Sequence, residues 1–168
     1  MCNFLSALIV RNGDILTHPM LDSHHDLVTY FKLPDSNGHI PRFVKVELTP
    51  TDNWLDPATW KWQVDEETLP RWWEDGLAVQ AEAALRRRAK SMIVTDDRTL
   101  IVDGCWIVGG KAKIRDVRSG RIVRVQDSAS ISNVWGSASI RDVGGSASIR
   151  DVGGSVVLDS SAKRAVLR

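Results

Sequence analysis

Cys2 is the residue of this chain whose position alone could support catalysis. After removal of Met1, its thiol and a free α-amine would lie on one residue, which is the arrangement of N-terminal nucleophile amidohydrolases. Such enzymes also begin with a strand and a tight turn. Their sandwich, however, needs many more strands than residues 1–104 supply. We therefore interpret Cys2 as a buried or incidental thiol, with a nucleophile hydrolase as the alternative.

Four histidines share one segment with aspartates and raise the question of a metal site. The histidines are His18, His24, His25 and His39, and the aspartates are Asp14, Asp22 and Asp26. Imidazole and carboxylate are ordinary metal ligands, but the spacing matches no structured ligand pattern. A helix cap with a polar first turn explains residues 22–26 adequately. We therefore predict no metal and no cofactor. The alternative ligand set is His18, His24, His25 and Asp26.

A basic cluster is the candidate for contact with phosphate or nucleic acid; it comprises Arg86, Arg87, Arg88 and Lys90. It falls at the C-terminal end of the long predicted helix, where positive charge interacts favourably with the helix dipole. That structural role is the preferred interpretation. Nucleic-acid binding through residues 86–90 is an alternative that we do not favour.

Tryptophan is frequent in this chain, which has 7, five of them between Trp54 and Trp73. Tryptophan is common both in cores and where partners bind. A core role is preferred for the group as a whole. Trp72 and Trp73, however, are adjacent and cannot easily both face inward on a helix, so they are the candidates for a binding surface.

The composition is that of a globular protein without a strong bulk charge. Of 168 residues, 43% are hydrophobic and 26% are charged, and the net charge is +1. This balance gives no bulk field that would hold nucleic acid or an acidic membrane. The apolar run at residues 4–10 is too short for a transmembrane helix and lacks the features of a signal peptide. Because two cysteines cannot form a disulfide framework, we expect a cytoplasmic protein with no membrane partner.

A nine-residue repeat occupies the C-terminal third of the chain. Residues 136–144 and 145–153 are identical copies of Gly-Ser-Ala-Ser-Ile-Arg-Asp-Val-Gly, and residues 127–135 are a close third copy. Residues 111–117 are a degenerate copy, and residues 120–125 fit after a slip of one residue. No single unit can bury its aliphatic face, but stacked units form a continuous core. The repeat therefore predicts a short β-solenoid.

Stacked in register, the units give two aliphatic columns. One column is Ile114, Val123, Ile131, Ile140, Ile149 and Leu158, and the other is Val117, Val125, Val134, Val143 and Val152. Two units per flattened coil and three per triangular coil are both open, and a β-meander is the alternative fold. The calcium-binding nonapeptide repeat requires an aspartate at the position of Ile149, so calcium binding is disfavoured.

Arg-Asp pairs recur at outward positions of the repeat. We expect Arg115, Arg141 and Arg150 to stack with their neighbouring aspartates as ladders of mixed charge. Arg124 is expected to join the arginine column. A solvated face is the preferred interpretation, because exposed ion pairs contribute little. A partner-binding face built on these arginines is the alternative.

The tail, residues 155–168, departs from the repeat but keeps apolar side chains. An uncapped solenoid end offers unpaired backbone groups to another chain. The tail is therefore either a last irregular coil or an edge that pairs with a second copy. We favour self-association here, and hence a homo-oligomer.

Upstream of the repeat, the hydrophobic pattern alternates between strand and helix periods. Strands are predicted at residues 3–10, 43–48 and 60–64, helices at 23–33 and 68–92, and a closing hairpin from 92–95 and 99–108. The predicted fold class is thus an α/β (α+β) domain followed by a C-terminal β-solenoid. The predicted domains are residues 1–104 and 105–168.

The whole chain resembles a set of uncharacterised proteins from phages, prophages and bacteria. The likeness is carried by Met-Cys-Asn-Phe-Leu-Ser-Ala at residues 1–7, Asn-Gly-Asp at 12–14, Asp-Ser-His-His-Asp-Leu at 22–27, Val-Lys-Val-Glu-Leu-Thr-Pro at 44–50, Val-Asp-Glu-Glu at 64–67, Pro-Arg-Trp-Trp at 70–73 and Gly-Cys-Trp-Ile-Val at 104–108. The resemblance implies an origin in a mobile element and short solenoid repeats, with no activity to carry over. We therefore expect a non-enzymatic interaction or scaffold protein with an unidentified protein partner, either a virion accessory component or an inhibitor of a host defence complex.

Overall fold

A computed structural model describes residues 5–34 and 42–166 of the chain. The chain divides into two compact units, Met1–Lys90 and Ser91–Arg168. The first is a small sheet with helices and the second is a stack of β-coils. Among the helices of the described residues, none combines the length and the apolar character needed to cross a bilayer.

The described part of the N-terminal unit contains one antiparallel sheet of order β2-β1-β3-β4. In chain order its elements are β1 (Leu5–Val10), β2 (Ile15–Leu16), α1 (His24–Tyr30), β3 (Phe43–Thr49), a 3-10 turn (Pro57–Thr59), β4 (Lys61–Val64) and α2 (Asp75–Met92). The Asn-Gly turn closes β1 onto β2, and its Gly13 has φ +90°, which glycine adopts without a steric cost. Leu27 of α1 packs on Leu8 and Phe43, so α1 covers the sheet face that carries these side chains.

The N-terminus of α2 lies further along the chain than predicted. We expected the helix from Thr68, whereas it begins at Asp75. The Trp73 N–H donates to the Pro70 carbonyl over 2.9 Å in a separate turn, and the Glu74 carbonyl accepts the first helical bonds, from Leu77 and Ala78. Trp72 and Trp73 therefore precede the helix, and the prediction that placed them on it, where they could not easily both face inward, was wrong.

The C-terminal unit is a β-solenoid in which successive strands alternate between two parallel sheets. The first sheet contains β6 (Arg98–Ile101), β8 (Lys113–Val117), β10 (Ser130–Val134) and β12 (Ser148–Val152). The second sheet contains β5 (Ile93–Val94), β7 (Cys105–Val108), β9 (Arg121–Val125), β11 (Ser139–Val143) and β13 (Val157–Leu158). Each coil of the described chain thus has one strand in each sheet, which removes both the triangular coil and the β-meander.

The repeating element of the structure is the whole coil. Ile131 lies beside Ile114 and Ile149, which are 17 residues before it and 18 after it. In the second sheet, Ile140 lies beside Ile122 and Leu158. Ile122 therefore occupies the column in which we expected Val123, because β9 is displaced by one residue relative to the predicted register. The inward aliphatic side chains form the core of this unit.

The first coil was not recognised in the sequence. Residues 92–108 do not form the predicted hairpin: β5 pairs in parallel with β7, and β6 pairs in parallel with β8. The Asp97 carboxylate accepts from the Lys113 N–H over 2.8 Å, so this aspartate binds the following coil. Val94 and Ile101 fill the columns above Val108 and Val117. The two units meet at Lys90–Ser91, whereas we placed the boundary near residue 104.

The last described helix, α3 (Ser160–Val166), packs against the final strands of both sheets. Ala162 is fully buried there. The Ser161 hydroxyl accepts from the Val143 N–H at 3.4 Å and donates to the Arg141 carbonyl at 3.3 Å. The tail thus forms a helical cap, and this packing favours the capping interpretation over an edge open to a second copy.

Candidate functional site

Three polar side chains from separate elements converge in the N-terminal unit. His24 is the first residue of α1, Glu47 lies in β3, and Asp65 directly follows β4. One nitrogen or carboxylate oxygen from each lies within 4.8 Å of the others. His24 and Glu47 are only 4% and 3% exposed, whereas the Asp65 side chain is 50% exposed. The cluster is therefore buried on one side and open on the other.

The strand register brings the two carboxylates together. Glu47 pairs with Gln63 across β3 and β4. The Asp65 N–H donates to the Lys45 carbonyl over 2.8 Å, which continues the pairing beyond the end of β4. Because side chains alternate along a strand, Glu47 and Asp65 share one face.

The start of α1 brings the imidazole onto the same face. The Ser23 hydroxyl caps the helix by accepting from the Asp26 N–H over 3.0 Å. The Ser6 hydroxyl, on the strand residue paired with Glu47, donates to the Asp22 carbonyl over 2.8 Å. These two bonds fix the chain on the N-terminal side of His24, so the position of its ring is set by backbone contacts.

The hydrogen bonds of His24 assign different roles to its two ring nitrogens. Nε2 lies 3.0 Å from the Val46 carbonyl oxygen, and because a carbonyl can only accept, Nε2 carries a proton. Nδ1 lies 3.3 Å from Oδ2 of Asp65. Nδ1 can therefore either donate to the carboxylate from a protonated ring or direct its lone pair at a cation that Asp65 also contacts.

An open cleft adjoins the cluster at Asp65. Its lining is Lys45, Val64, Asp65, Glu66, Glu67 and Thr68. Glu66 accepts from the Lys45 N–H over 3.2 Å and lies 3.7 Å from the Lys45 ammonium. Asp65 is the residue common to the cleft and the buried cluster, so solvent or a small ligand can reach the cluster from this side.

The other predicted metal ligands lie apart from this cluster. His18 packs its ring on Tyr30 with centroids 4.4 Å apart, and its Nδ1 accepts from the Met20 N–H over 3.1 Å. His25 and Asp26 are exposed on α1. Among the described residues, His24 is thus the one member of the predicted set that joins a ligand cluster. Cys2 and His39 lie outside the described residues.

Glu47 and Asp65 were missed in the sequence. Glu47 occupies an alternating strand position shared with Phe43 and Lys45, and a charged residue in such a place is normally solvated. The signal that could have found it is Phe43, which indicates that this face also meets apolar contacts. The neighbourhood of Asp65 depends on the pairing of β3 with β4, which a single sequence does not specify.

Two of the candidate basic side chains bind backbone within their own unit. Arg86 donates to the carbonyls of Pro57 and Trp60 and pairs with Glu82 at 2.6 Å. Arg88 donates to the His18 carbonyl. Arg87 and Lys90 are exposed. The cluster is thus divided between side chains that bind the backbone of other segments and solvent-facing charges.

Trp72 and Trp73 are both half-buried and meet edge to face, with centroids 6.3 Å apart. Trp60, by contrast, is buried, and its indole N–H donates to the Asn53 carbonyl over 3.1 Å. The tryptophans therefore divide between core and surface. The Trp72–Trp73 pair remains a candidate contact surface.

The outward arginines of the repeat lie on opposite sides of the solenoid. Arg115 and Arg150 belong to the first sheet, and Arg141 belongs to the second. Arg124 pairs with Asp142 at 2.5 Å, because the register places it beside the aspartate, and it does not join an arginine column as expected. Equivalent residues of consecutive units therefore face opposite ways.

Asp116 is held by its neighbours on the first sheet. The Asn133 amide donates to Oδ1 over 2.9 Å from the next coil, and Arg115 Nε donates to Oδ2 over 3.0 Å. These bonds, with that to Asn133 the larger influence, lower the pKa of Asp116 below its ordinary value. A lowered pKa in the folded state means that the ionised carboxylate adds stability above the unfolded pKa, and that this stability is lost as pH falls through the folded pKa.

Asn133→Ala is expected to raise the pKa of Asp116 towards its ordinary value, since the amide is the main group favouring the ionised form. NMR titration of the Asp116 carboxyl carbon measures the effect. Ser132→Ala, at the neighbouring residue, is the control and should leave the titration in place. An unchanged Asp116 titration in Asn133→Ala would contradict the assignment of cause.

The chain has no match among protein-family models, curated proteins or solved structures.

Proposed function

We propose that this protein acts by binding a partner protein through the outer face of the first solenoid sheet, as a non-enzymatic interaction or scaffold protein. The observation that carries the proposal is the set of exposed side chains on this sheet. Leu100 is 43% exposed, the Arg115 side chain is 69% exposed, and Lys113, Arg150 and Asp151 are also exposed. Arginine is among the residues enriched in interfaces and at their binding hot spots.

The second sheet is less suited to this role. Its Arg124 is engaged by Asp142 and by Gln126, at 2.5 and 3.0 Å, and the Arg124 side chain is 29% exposed. Arg115 of the first sheet also bonds a neighbour, Asp116, but its side chain is still 69% exposed. Arg124 must therefore break more bonds before it can contact a partner. We treat each nine-residue sequence unit as half of a coil, so that two consecutive units contribute one strand to each sheet. Rigid parallel pairing then holds the first-sheet side chains in place before binding, which lowers the entropic cost of association.

Self-association is not part of this proposal, because α3 packs over the coil end through which we expected it. The resemblance of the whole chain to phage and prophage proteins supports an origin in a mobile element. In that setting the partner would be a virion component or a host defence complex. The Cys2 hydrolase, whose nucleophile lies outside the described residues, and nucleic-acid binding are the alternatives to this proposal.

Arg150→Glu is expected to weaken partner binding by about tenfold or more, because an interfacial arginine is lost and its charge is reversed. Arg141→Glu is the matched control, since Arg141 and Arg150 occupy the same position of identical sequence units but lie on opposite sheets. The measurement is affinity capture from the native host, followed by titration of the captured protein against wild type and both variants.

The proposal requires that wild type and Arg141→Glu retain the same partner while Arg150→Glu loses it. It fails if wild type retains no partner, or if the two variants behave alike. Loss of partner binding in Arg141→Glu alone would place the interface on the second sheet, and this result would also overturn the proposal.

A further inference from the structure

We propose that His24, Glu47 and Asp65 bind a divalent transition-metal ion, with Zn²⁺ or Mn²⁺ as the probes that fit the donor set. This site is independent of the proposed solenoid interface. It would use one imidazole nitrogen and two carboxylate oxygens, supplied by α1, β3 and the residue after β4.

The distances suit a first-row ion. Metal–nitrogen and metal–oxygen bonds of about 2.0–2.2 Å place two tetrahedral ligands roughly 3.4 Å apart. The observed separation of Nδ1 of His24 and Oδ2 of Asp65 is 3.3 Å. All three donor groups lie within 4.8 Å of one another, so binding requires the Glu47 carboxylate to approach the other two donors by no more than about 1.4 Å from that limit.

The outer contacts of His24 are those of a metal ligand. Metal-bound histidines donate their other ring N–H to a carbonyl or carboxylate, which fixes the tautomer and the ring orientation. Here Nε2 donates to the Val46 carbonyl over 3.0 Å, outside the cluster, and this leaves the Nδ1 lone pair on the side of Asp65. The tautomer required for ligation is therefore set by the backbone.

The charges of the three groups also match a divalent ion. A neutral imidazole with two ionised carboxylates carries a charge of −2, which one divalent cation balances. Since His24 and Glu47 are buried, this balance matters more than it would at the surface. The imidazole suits zinc or iron, and the two carboxylates also suit manganese, so Zn²⁺ and Mn²⁺ probe the two parts of the donor set.

The open cleft supplies the remaining coordination positions. Asp65 faces it and is half exposed, so a bound ion would keep solvent on that side. Three protein ligands with an open position is the arrangement of zinc sites that bind a further ligand, while closed four-ligand sites are structural. The proposed ion is therefore exchangeable and accessible to chelators.

Calorimetric titration of the tag-free full chain with ZnCl₂ and MnCl₂, after treatment with EDTA, tests the site. Wild type should bind one ion per chain, and Asp65→Asn should weaken the affinity by at least about 100-fold, because removal of a ligand exceeds the loss caused by an outer contact. His25→Gln is the matched control: it removes the adjacent, exposed imidazole and should leave the affinity unchanged. Glu47→Gln provides a second isosteric variant with the same expected loss.

Absorption of the Co²⁺-substituted protein identifies the donors, since nitrogen and oxygen ligands lack the intense charge-transfer band of thiolates. The proposal is overturned if wild type binds neither Zn²⁺ nor Mn²⁺, or if the thiolate band shows ligation by cysteine. It is also overturned if folded Asp65→Asn and Glu47→Gln bind as tightly as wild type, or if His25→Gln loses as much affinity as they do.

Discussion

Gly136→Ala is expected to destabilise the C-terminal unit by about 3 kcal/mol, which combines left-handed backbone strain with a steric clash. Gly136 has φ +65°, and a Cβ atom there would lie 2.5 Å from the Arg118 carbonyl oxygen. That oxygen belongs to the preceding coil, so neither side of the contact can rotate away. The corner must open, and the stacking distance between neighbouring coils must change with it.

Gly76→Ala is the matched control for this substitution. Gly76 is the second residue of α2, and a Cβ there meets no atom within 4 Å. The same chemical change should therefore cause no loss, and could add up to about 1 kcal/mol through helix propensity. Urea denaturation measures both changes, and hydrogen exchange of amides 113–152 assigns the loss to the solenoid. Equal effects at the two glycines would contradict the clash.

Ile131→Ala is expected to cost roughly 3–4 kcal/mol, within the range of about 2–5 kcal/mol for truncating a large aliphatic side chain in a closed core. Ile131 is 1% exposed and lies between Ile114 and Ile149 in the column of the first sheet. Because it has a coil on both sides, the cavity cannot be filled by solvent or by a shift of a free end. The loss should appear as a lower denaturation midpoint with preserved native secondary structure.

Ser132→Ala tests whether this loss is specific to the column. Ser132 follows Ile131 in the same strand, is half-buried, and points to the opposite side. Its truncation should change stability by no more than about 0.5 kcal/mol. If Ser132→Ala matches Ile131→Ala, the inward assignment of the isoleucine column is wrong.

The solenoid could be predicted from the sequence because its core is repetitive. Ile131, Ile140 and Ile149 recur at equal spacing, so each needs the same kind of buried position. Stacked parallel strands provide such positions in both sheets. The number of units per coil could not be predicted, because identical units carry no mark of the sheet to which they belong. The first coil was missed for the opposite reason: Val94 and Ile101 fill the columns, but residues 92–101 do not carry the Ser-Ala-Ser-Ile-Arg-Asp-Val motif that makes the later units visible.

The candidate metal site could be predicted only in part. His24 was singled out by residue type, and Ser23 as its helix cap follows from local sequence preferences. Glu47 and Asp65 come close to it through strand pairing and helix packing, which involve residues distant in sequence. The same long-range packing engages Arg86 and Arg88 with carbonyls of other segments. The local pattern of charges in the sequence therefore predicts neither the cluster around His24 nor the backbone contacts of these arginines.

The alternation of strands between the two sheets restricts how such a chain can change its length. β10, β11 and β12 begin at residues 130, 139 and 148, and they lie in the first, second and first sheet. Insertion of one nine-residue unit would move every later strand to the opposite sheet. The strands against which α3 packs would then exchange sheets. Insertion of two units keeps each side chain on its own face and the cap in its place. We therefore expect duplication to be tolerated in even numbers of units, so that proteins with this architecture differ in length by whole coils.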